Sequence, residues 1–221
     1  EDMPDHVLKI LVDNLHVDAH FIYSYEDPEV LRYLIQISQI DRPDLKFEAF
    51  APVVPHEFHE NHEPTSDNFF NEIRRKDIML HHPYDSFEPV VDFLHHAAID
   101  PNVLAIKQTL YRVGRNSPVV RNLLQARRDY GKQVAVLVEL KARFDEESNI
   151  EWAKLLEQEG VHVTYGLLGL KTHSKIALVV RKEGEHIRRY VHMATGNYNH
   201  ITAQRYEDIG IFTSDDEMKA V

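Results

Sequence analysis

Apolar residues in the first third of the chain recur at helical spacing. Val7, Leu8, Leu11 and Leu15 predict a helix over residues 6–17, entered through Pro4, which is tolerated in a first turn. Residues 21–23 read as a short strand. Val30, Leu31, Leu34, Ile35 and Ile37 form the stripe of a second helix over residues 29–40, and residues 47–54 look extended between prolines. Residues 55–68 are polar and carry no periodicity, and residues 71–76 read as a short basic turn.

The rhythm changes near residue 77. Short apolar runs at 78–81, 103–111, 134–140 and 161–165 predict strands, and the stretches between them, 86–99, 117–130 and 146–159, have helical spacing. Asp85 and Glu88 suggest a capping box, Ser117-Pro118 a helix start, and Gly131 and Gly160 helix stops. The run at 134–140 is nearly all apolar, as in a strand buried on both faces. Alternating strands and helices imply parallel pairing with right-handed crossovers. Residues 172–181 and 187–193 then form a hairpin turned at Glu183-Gly-Glu185, and 209–213 is a last strand. The expected fold is α/β: a mixed, mostly parallel sheet of about seven strands with helices on both faces over residues 78–221, preceded by a small α+β segment over residues 1–77.

Composition narrows this further. The chain of 221 residues has no cysteine, which removes disulfides, zinc thiolates and cysteine nucleophiles and favours a reducing, cytoplasmic setting. No apolar run reaches the length of a membrane span. The first residue is not Met, and residues 215–221 read as a helix just begun, so the chain is expected to be a piece of a longer protein.

The net charge of −11 is unevenly spread. Residues 1–77 hold 7 Lys+Arg against 17 Asp+Glu, whereas residues 103–206 hold 17 against 10. A locally cationic segment in an acidic chain suits a polyanion or a nucleotide.

Three groups in that segment point to phosphate. On a strand, Lys171, His173 and Lys175 would share one face, holding an imidazole beside fixed positive charge. Thr195-Gly-Asn-Tyr-Asn199 is a turn that would aim Asn197 and Asn199 toward the mouth of the first hairpin strand. Arg112 and Arg143 each close a predicted parallel strand, at the sheet end where open α/β folds keep their ligands. Outside the segment, His56, His59 and His62 recur at intervals of three, a spacing that can bind zinc, but in an irregular stretch without cysteine the preferred reading is a solvated loop.

His-x-Lys followed by Gly-Asn-x-Asn resembles the phospholipase D superfamily, whose histidine is a covalent phosphoryl acceptor. The aspartate which that pattern places five residues after the lysine is Val180 here. The longer strings Ile106-Lys-Gln-Thr-Leu-Tyr-Arg112, Val138-Glu-Leu-Lys-Ala-Arg143-Phe-Asp-Glu-Glu-Ser-Asn-Ile-Glu-Trp-Ala153, Gly169-Leu-Lys-Thr-His-Ser-Lys175 and Ala194-Thr-Gly-Asn-Tyr-Asn199 resemble bacterial polyphosphate kinase of the large, phosphohistidine type. The resemblance is close over residues 78–221, while residues 1–77 resemble the end of the domain preceding it.

That resemblance implies reversible, Mg²⁺-dependent transfer of the ATP γ-phosphoryl group through a phosphohistidine to polyphosphate. His173 would be the nucleophile with Lys175 beside it, and Tyr206 would contact ATP. Arg112 and Arg143 would sit at the magnesium–phosphate site, gripping phosphate oxygens, since a guanidinium cannot ligate a cation. The implied partners are ATP, ADP and inorganic polyphosphate, with no nucleic acid and a homo-oligomer in the full-length protein. A second motif of this kind, carried by the residues that follow in that family, would complete the active site, so the piece alone is expected to turn over weakly or not at all. The alternatives are a homodimeric phosphodiesterase or nuclease, opposed by the missing aspartate and the acidity, and a non-catalytic module that binds polyphosphate or nucleotide.

Overall fold

The computed structural model describes residues 3–24, 33–48, 50–58, 65–114, 116–140, 146–167 and 169–215. The chain divides into two compact units, Glu1–Phe50 and Ala51–Val221.

In the first unit, helix α1 (Asp5–Leu15) follows Pro4 and ends at His16, whose φ of 53° closes the last turn in the left-handed region. The short strand expected at 21–23 is instead part of a 3₁₀ turn, Ala19–Phe21. The described part of the expected second helix is also 3₁₀, Leu34–Gln39, with Leu34, Ile35 and Ile37 exposed. A stripe of apolar residues stabilises an α-helix chiefly through the surface it buries, and this one buries none of its described residues, Leu34, Ile35 and Ile37.

In the second unit, Thr65 caps helix α2 (Ser66–Arg75) by accepting the Asn68 N–H at 3.3 Å. Phe69, Phe70 and Ile73 bury one face of α2 in the core below the sheet. The basic turn expected at 71–76 is therefore helical.

The elements that follow are β1 (Ile78–His82), α3 (Glu88–Ile99), β2 (Val103–Leu110), α4 (Pro118–Arg128), β3 (Gln133–Val138), α5 (Glu146–Gln158), β4 (His162–Tyr165), β5 (Lys175–Glu183), β6 (His186–Ala194) and β7 (Asp208–Thr213). Ser117 caps α4 through the Val120 N–H, and Gly131 and Gly160 end their helices at positive φ, as expected. Asp85 does not cap α3; its Oδ2 accepts the His81 N–H at 2.7 Å and closes the turn after β1, while Ser86 Oγ accepts the Glu88 N–H.

The seven strands form one mixed sheet in the order β1-β7-β6-β5-β2-β3-β4. Parallel pairing is confined to β2–β3 and β3–β4; the other four pairings are antiparallel. The parallel part is smaller than the helical crossovers suggested because the β5–β6 hairpin inserts beside β2 and carries β7 and β1 with it.

The four described helices of this unit gather on one face, not two. Phe70, Phe93, Leu123 and Leu156 meet Ile106, Val136, Val179, Tyr190 and Phe212 in a single core. Alternate residues Thr109, Leu137, Ile176 and Leu178 face the other way, over a shallow depression of about 390 Å³. Strand β3 is accordingly buried on one side only, with Ala135 and Leu137 half-buried.

Candidate functional site

The parallel strands β2 and β3 end at the same edge of the sheet where β5 begins. The β2–β5 ladder stops at Gln108↔Ala177. Beyond it the Thr109 hydroxyl donates to Ser174 O at 2.8 Å and accepts the Ile176 N–H at 2.9 Å, so a side chain replaces the next ladder bonds. The chain before Lys175 thereby leaves the sheet. Lys171 and His173 lie in an irregular loop, and only Lys175 is on the strand, so the shared strand face expected for the three does not exist.

The three nevertheless converge, around a residue that motif reasoning passed over. Lys171 Nζ, Lys175 Nζ and Arg112 Cζ lie 5.4, 5.2 and 5.3 Å from the centroid of the Tyr111 ring. The His173 ring meets the same tyrosine edge-on, with centroids 5.3 Å apart and planes at 71°. Tyr111 is held in place because the buried Asn149 of α5 donates from Nδ2 to the carbonyls of Tyr111 and Glu139, tying the ends of β2 and β3 together.

Glu139, the first residue after β3, is buried and accepts the Thr172 N–H on Oε2 at 2.8 Å. A side chain at Gly166 would come within 3.1 Å of that oxygen, so a glycine there lets the chain after β4 pass close to the carboxylate. The loop bearing His173 is thus fixed from both sides, at Thr172 by Glu139 and at Ser174 by Thr109.

Electrostatics follow from this convergence. Lys175, then partial burial, then Lys171 and Arg112 hold the His173 imidazolium at a disadvantage and lower its pKa below the ordinary histidine value. Lys175 is itself buried, donating from Nζ to His173 O at 2.6 Å. Burial and the Arg112 charge lower its pKa, opposed by Asp208 of β7. Asp208 thus acts on the lysine from another strand, and no local spacing would have shown it.

The asparagine turn occupies the neighbouring strand ends. Thr195 Oγ1 donates to Asp208 Oδ1 at 2.8 Å, and a Cβ at Gly196 would stand 2.7 Å from the same carboxylate. Asn199 is buried, and its Oδ1 accepts the Ile201 and Thr202 N–H groups, which shapes the turn. Asn197 Oδ1 is buried without a hydrogen-bond partner among the described residues, on a cavity of about 10 Å³ that it shares with His192 and Asp208. Tyr206, two residues before Asp208, is 63% exposed. The structure therefore brings His173, Lys175 and Arg112 together around Tyr111, leaves Asn197 and Asn199 inside their own turn, and sets Tyr206 on the surface. Arg143, His59 and His62 lie outside the described residues, and His56 Nδ1 sits 3.2 Å from Glu57 Oε2.

Among the described residues no cluster of three or more His, Asp or Glu side chains could hold a metal ion. Among the described residues no carboxylate cage for Mg²⁺ exists beside His173, and guanidinium and ammonium groups are donors only. No described helix is long and apolar enough to cross a membrane.

A mixed α/β domain that gathers a histidine, two lysines and an arginine about one ring at the end of its parallel strands offers an anion a place to bind. The chain belongs to the polyphosphate kinase C-terminal domain 1 family, whose pattern matches residues 68–220. It is 51% identical over 219 residues to polyphosphate kinase 1 of Chlorobaculum tepidum, covering 99% of this chain and 30% of that protein. It is 50% identical over 221 residues to the polyphosphate kinase of Streptomyces coelicolor, again covering 30% of the relative. The crystal structure of polyphosphate kinase from Porphyromonas gingivalis superposes with a TM-score of 0.70 at 31% identity, over 98% of this chain and 32% of the other. The chain thus spans about a third of the length of the proteins it matches.

Proposed function

We propose that this chain carries the nucleophilic half of an ATP:polyphosphate phosphotransferase. The observation that supports the reading most is the position of His173, whose ring lies against Tyr111 with Lys171, Lys175 and Arg112 about the same ring. Nearby positive charge keeps the imidazole neutral and nucleophilic at neutral pH. In the forward step an imidazole nitrogen attacks the γ-phosphorus of ATP, an N–P bond forms, the β–γ bridging P–O bond breaks and ADP leaves with its electron pair. In the next step a terminal oxygen of polyphosphate attacks the phosphorus and the N–P bond breaks, restoring the imidazole. Both steps gather charge on the transferred phosphoryl oxygens, which Lys175 and Arg112 are placed to stabilise.

Arg143 and Tyr206 belong to this reading as further contacts to phosphate and to ATP, and the Asn197–Asn199 turn as the wall that sets Asp208 beside Lys175. Mg²⁺ does not fit these residues as a protein-bound ion and has no role in the steps above; in this reading it travels on the phosphates of ATP and polyphosphate. The full-length protein would act in the cytoplasm, without nucleic acid, as a homo-oligomer. The phosphodiesterase alternative loses ground to the family match.

The experiment is labelling of the full-length protein with γ-labelled ATP and Mg²⁺. An acid-labile, alkali-stable label that disappears in His173→Ala supports the proposal, and cleavage of a phosphodiester without any label overturns it.

A further inference from the structure

Beside the lysine end of the sheet, the strands enclose a small polar cavity. The register sets Lys175 of β5 opposite Ala194 of β6, Ala194 opposite Gly210 of β7, and Asp208 of β7 opposite His82 of β1. Residues paired across strands, and residues two apart along one, share a face of the sheet, so His192 and Ala194 look the same way as Gly210 and Asp208. On that face lies the cavity of about 10 Å³, whose wall includes His82, His192, Gly196, Asn197 and Asp208.

Two bare acceptors are buried on it. His192 is 1% exposed. The Tyr198 hydroxyl donates to His192 O at 3.1 Å and lies 2.9 Å from His192 Nδ1, so its oxygen accepts the Nδ1 proton and Nε2 keeps only a lone pair. Burial, and then the neighbouring His82, hold this imidazole neutral, with a pKa of about 3. A Cβ on Gly210 would stand 2.8 Å from Nε2, so the glycine keeps the space before that atom clear. Asn197 Oδ1 is the second acceptor, and among the described residues neither atom has a hydrogen-bond partner. Acceptors cannot bond one another, and burying them unpaired is costly. A molecule with two donors satisfies both, and the cavity has room for one water. A metal ion does not suit it, since among the described residues no three His, Asp or Glu side chains converge to hold one.

We propose that a single buried water occupies this cavity, donating one proton to His192 Nε2 and the other to Asn197 Oδ1, and that through it His192 is a positioning residue for the phosphotransfer site. The water ties Asn197 to β6. Asn197 belongs to the turn in which Thr195 Oγ1 donates to Asp208 Oδ1 at 2.8 Å and Gly196 packs against the same carboxylate. Asp208 in turn acts on Lys175 and favours its charged form. Influence therefore runs from His192 through the water to the turn, to Asp208 and to the lysine beside His173. The inference rests on the phosphotransfer reading for what Lys175 does. The water site itself does not depend on it.

A crystal structure of this chain, at a resolution that shows ordered water, tests the site directly. Density within about 3.2 Å of both His192 Nε2 and Asn197 Oδ1 is expected. A dry cavity, or a protein donor on Nε2, overturns the inference. The positioning role is tested with Asn197→Leu, which removes one acceptor at a half-buried turn with little change of volume, and with His192→Phe, which keeps a ring and removes both nitrogens. In full-length protein each should slow labelling of His173 from ATP by about tenfold, the scale of a small misplacement of reacting groups, with the ATP concentration for half-maximal rate unchanged. In this chain each should make Lys175 titrate lower by NMR, as Asp208 leaves its place. If His192→Phe does not fold, Asn197→Leu decides alone; a labelling rate or a Lys175 titration that it leaves unchanged overturns the positioning role. If full-length parent protein takes no label from ATP while the water is present and Lys175 follows position 197, the phosphotransfer reading fails and the water site stands. Normal labelling with a dry cavity has the reverse meaning.

Discussion

The buried carboxylate of Glu139 accepts the backbone N–H of Thr172 at 2.8 Å, one residue before the histidine. This bond crosses 33 positions of sequence and fixes the loop that the strand ladder has released. A buried amide left without its acceptor costs about 1–3 kcal/mol, and the loop relaxes to avoid that. Glu139→Ala should lower the rate of His173 labelling in full-length protein by about tenfold or more, since small misplacements of reacting groups are costly. Glu139→Gln retains a carbonyl acceptor and should recover most of the rate. Equal loss in both variants, measured by rapid-quench labelling, would show that the carboxylate charge matters and the bond does not.

Gly196 tests the other side of the site. It needs glycine for space, because a Cβ would stand 2.7 Å from the Asp208 carboxylate and 2.9 Å from Asp208 Cβ. Gly196→Ala must push Asp208 away, at a cost of about 1–3 kcal/mol for overpacking. Thermal unfolding should show the loss. Removing Asp208 from the neighbourhood of Lys175 also removes the interaction that raises the lysine pKa, so in Gly196→Ala the Lys175 ammonium should titrate lower than in the parent chain, as read by NMR.

These two relationships mark where the sequence is legible and where it is not. Hydrophobic rhythm located each of the seven strands and the helices after residue 77, because a long apolar face and a capping residue are local signals; Ser117, Gly131 and Gly160 behave as their types predict. It misjudged α2, whose anchors Phe69 and Phe70 pack against Phe93 and Tyr190, residues distant in sequence. It also placed His173 on a strand because apolar residues follow at once, whereas the Thr109 hydroxyl ends the ladder. At the site, His-x-Lys and Arg112 were visible as chemistry. Tyr111, Glu139 and Asp208 were not, since a tyrosine, a glutamate and an aspartate at strand ends acquire meaning only from what the fold sets beside them.

Acid should unfold the chain through two buried histidines. Burial holds the His192 pKa down at about 3 and the His96 pKa at about 4, against 6.5 in the unfolded chain. Between pH 6.5 and those values the unfolded chain takes up protons that the native chain refuses. Stability is therefore full above pH 6.5 and falls with acidification by roughly 1.4 kcal/mol per pH unit for each such group. Asp92 acts in the opposite sense. Burial and Glu88 raise its pKa from 3.8 to about 6, so in that range it is the native chain that holds the proton. The net slope is expected to be that of about one histidine near pH 5. His192→Gln should flatten it, measured as urea midpoints from pH 7 to pH 4.5.

Arg181 gives the last prediction, in which stability and binding separate. Its side chain is 6% exposed and holds Asp100, itself 2% exposed, together with Asp67 and Glu183. Removing one member of a buried ion pair leaves the other charged and unsolvated, at a cost of about 3–5 kcal/mol. Arg181→Met should therefore destabilise the chain severely. Arg181→Met combined with Asp100→Asn removes the stranded charge and should recover a large part of the loss, read as the difference in urea midpoint. Because this arginine is neutralised within the protein and lies at the far end of β5 from His173, tripolyphosphate affinity of the double variant should equal that of the parent chain. A fall in affinity there would mean that the Arg181 cluster also takes part in anion binding.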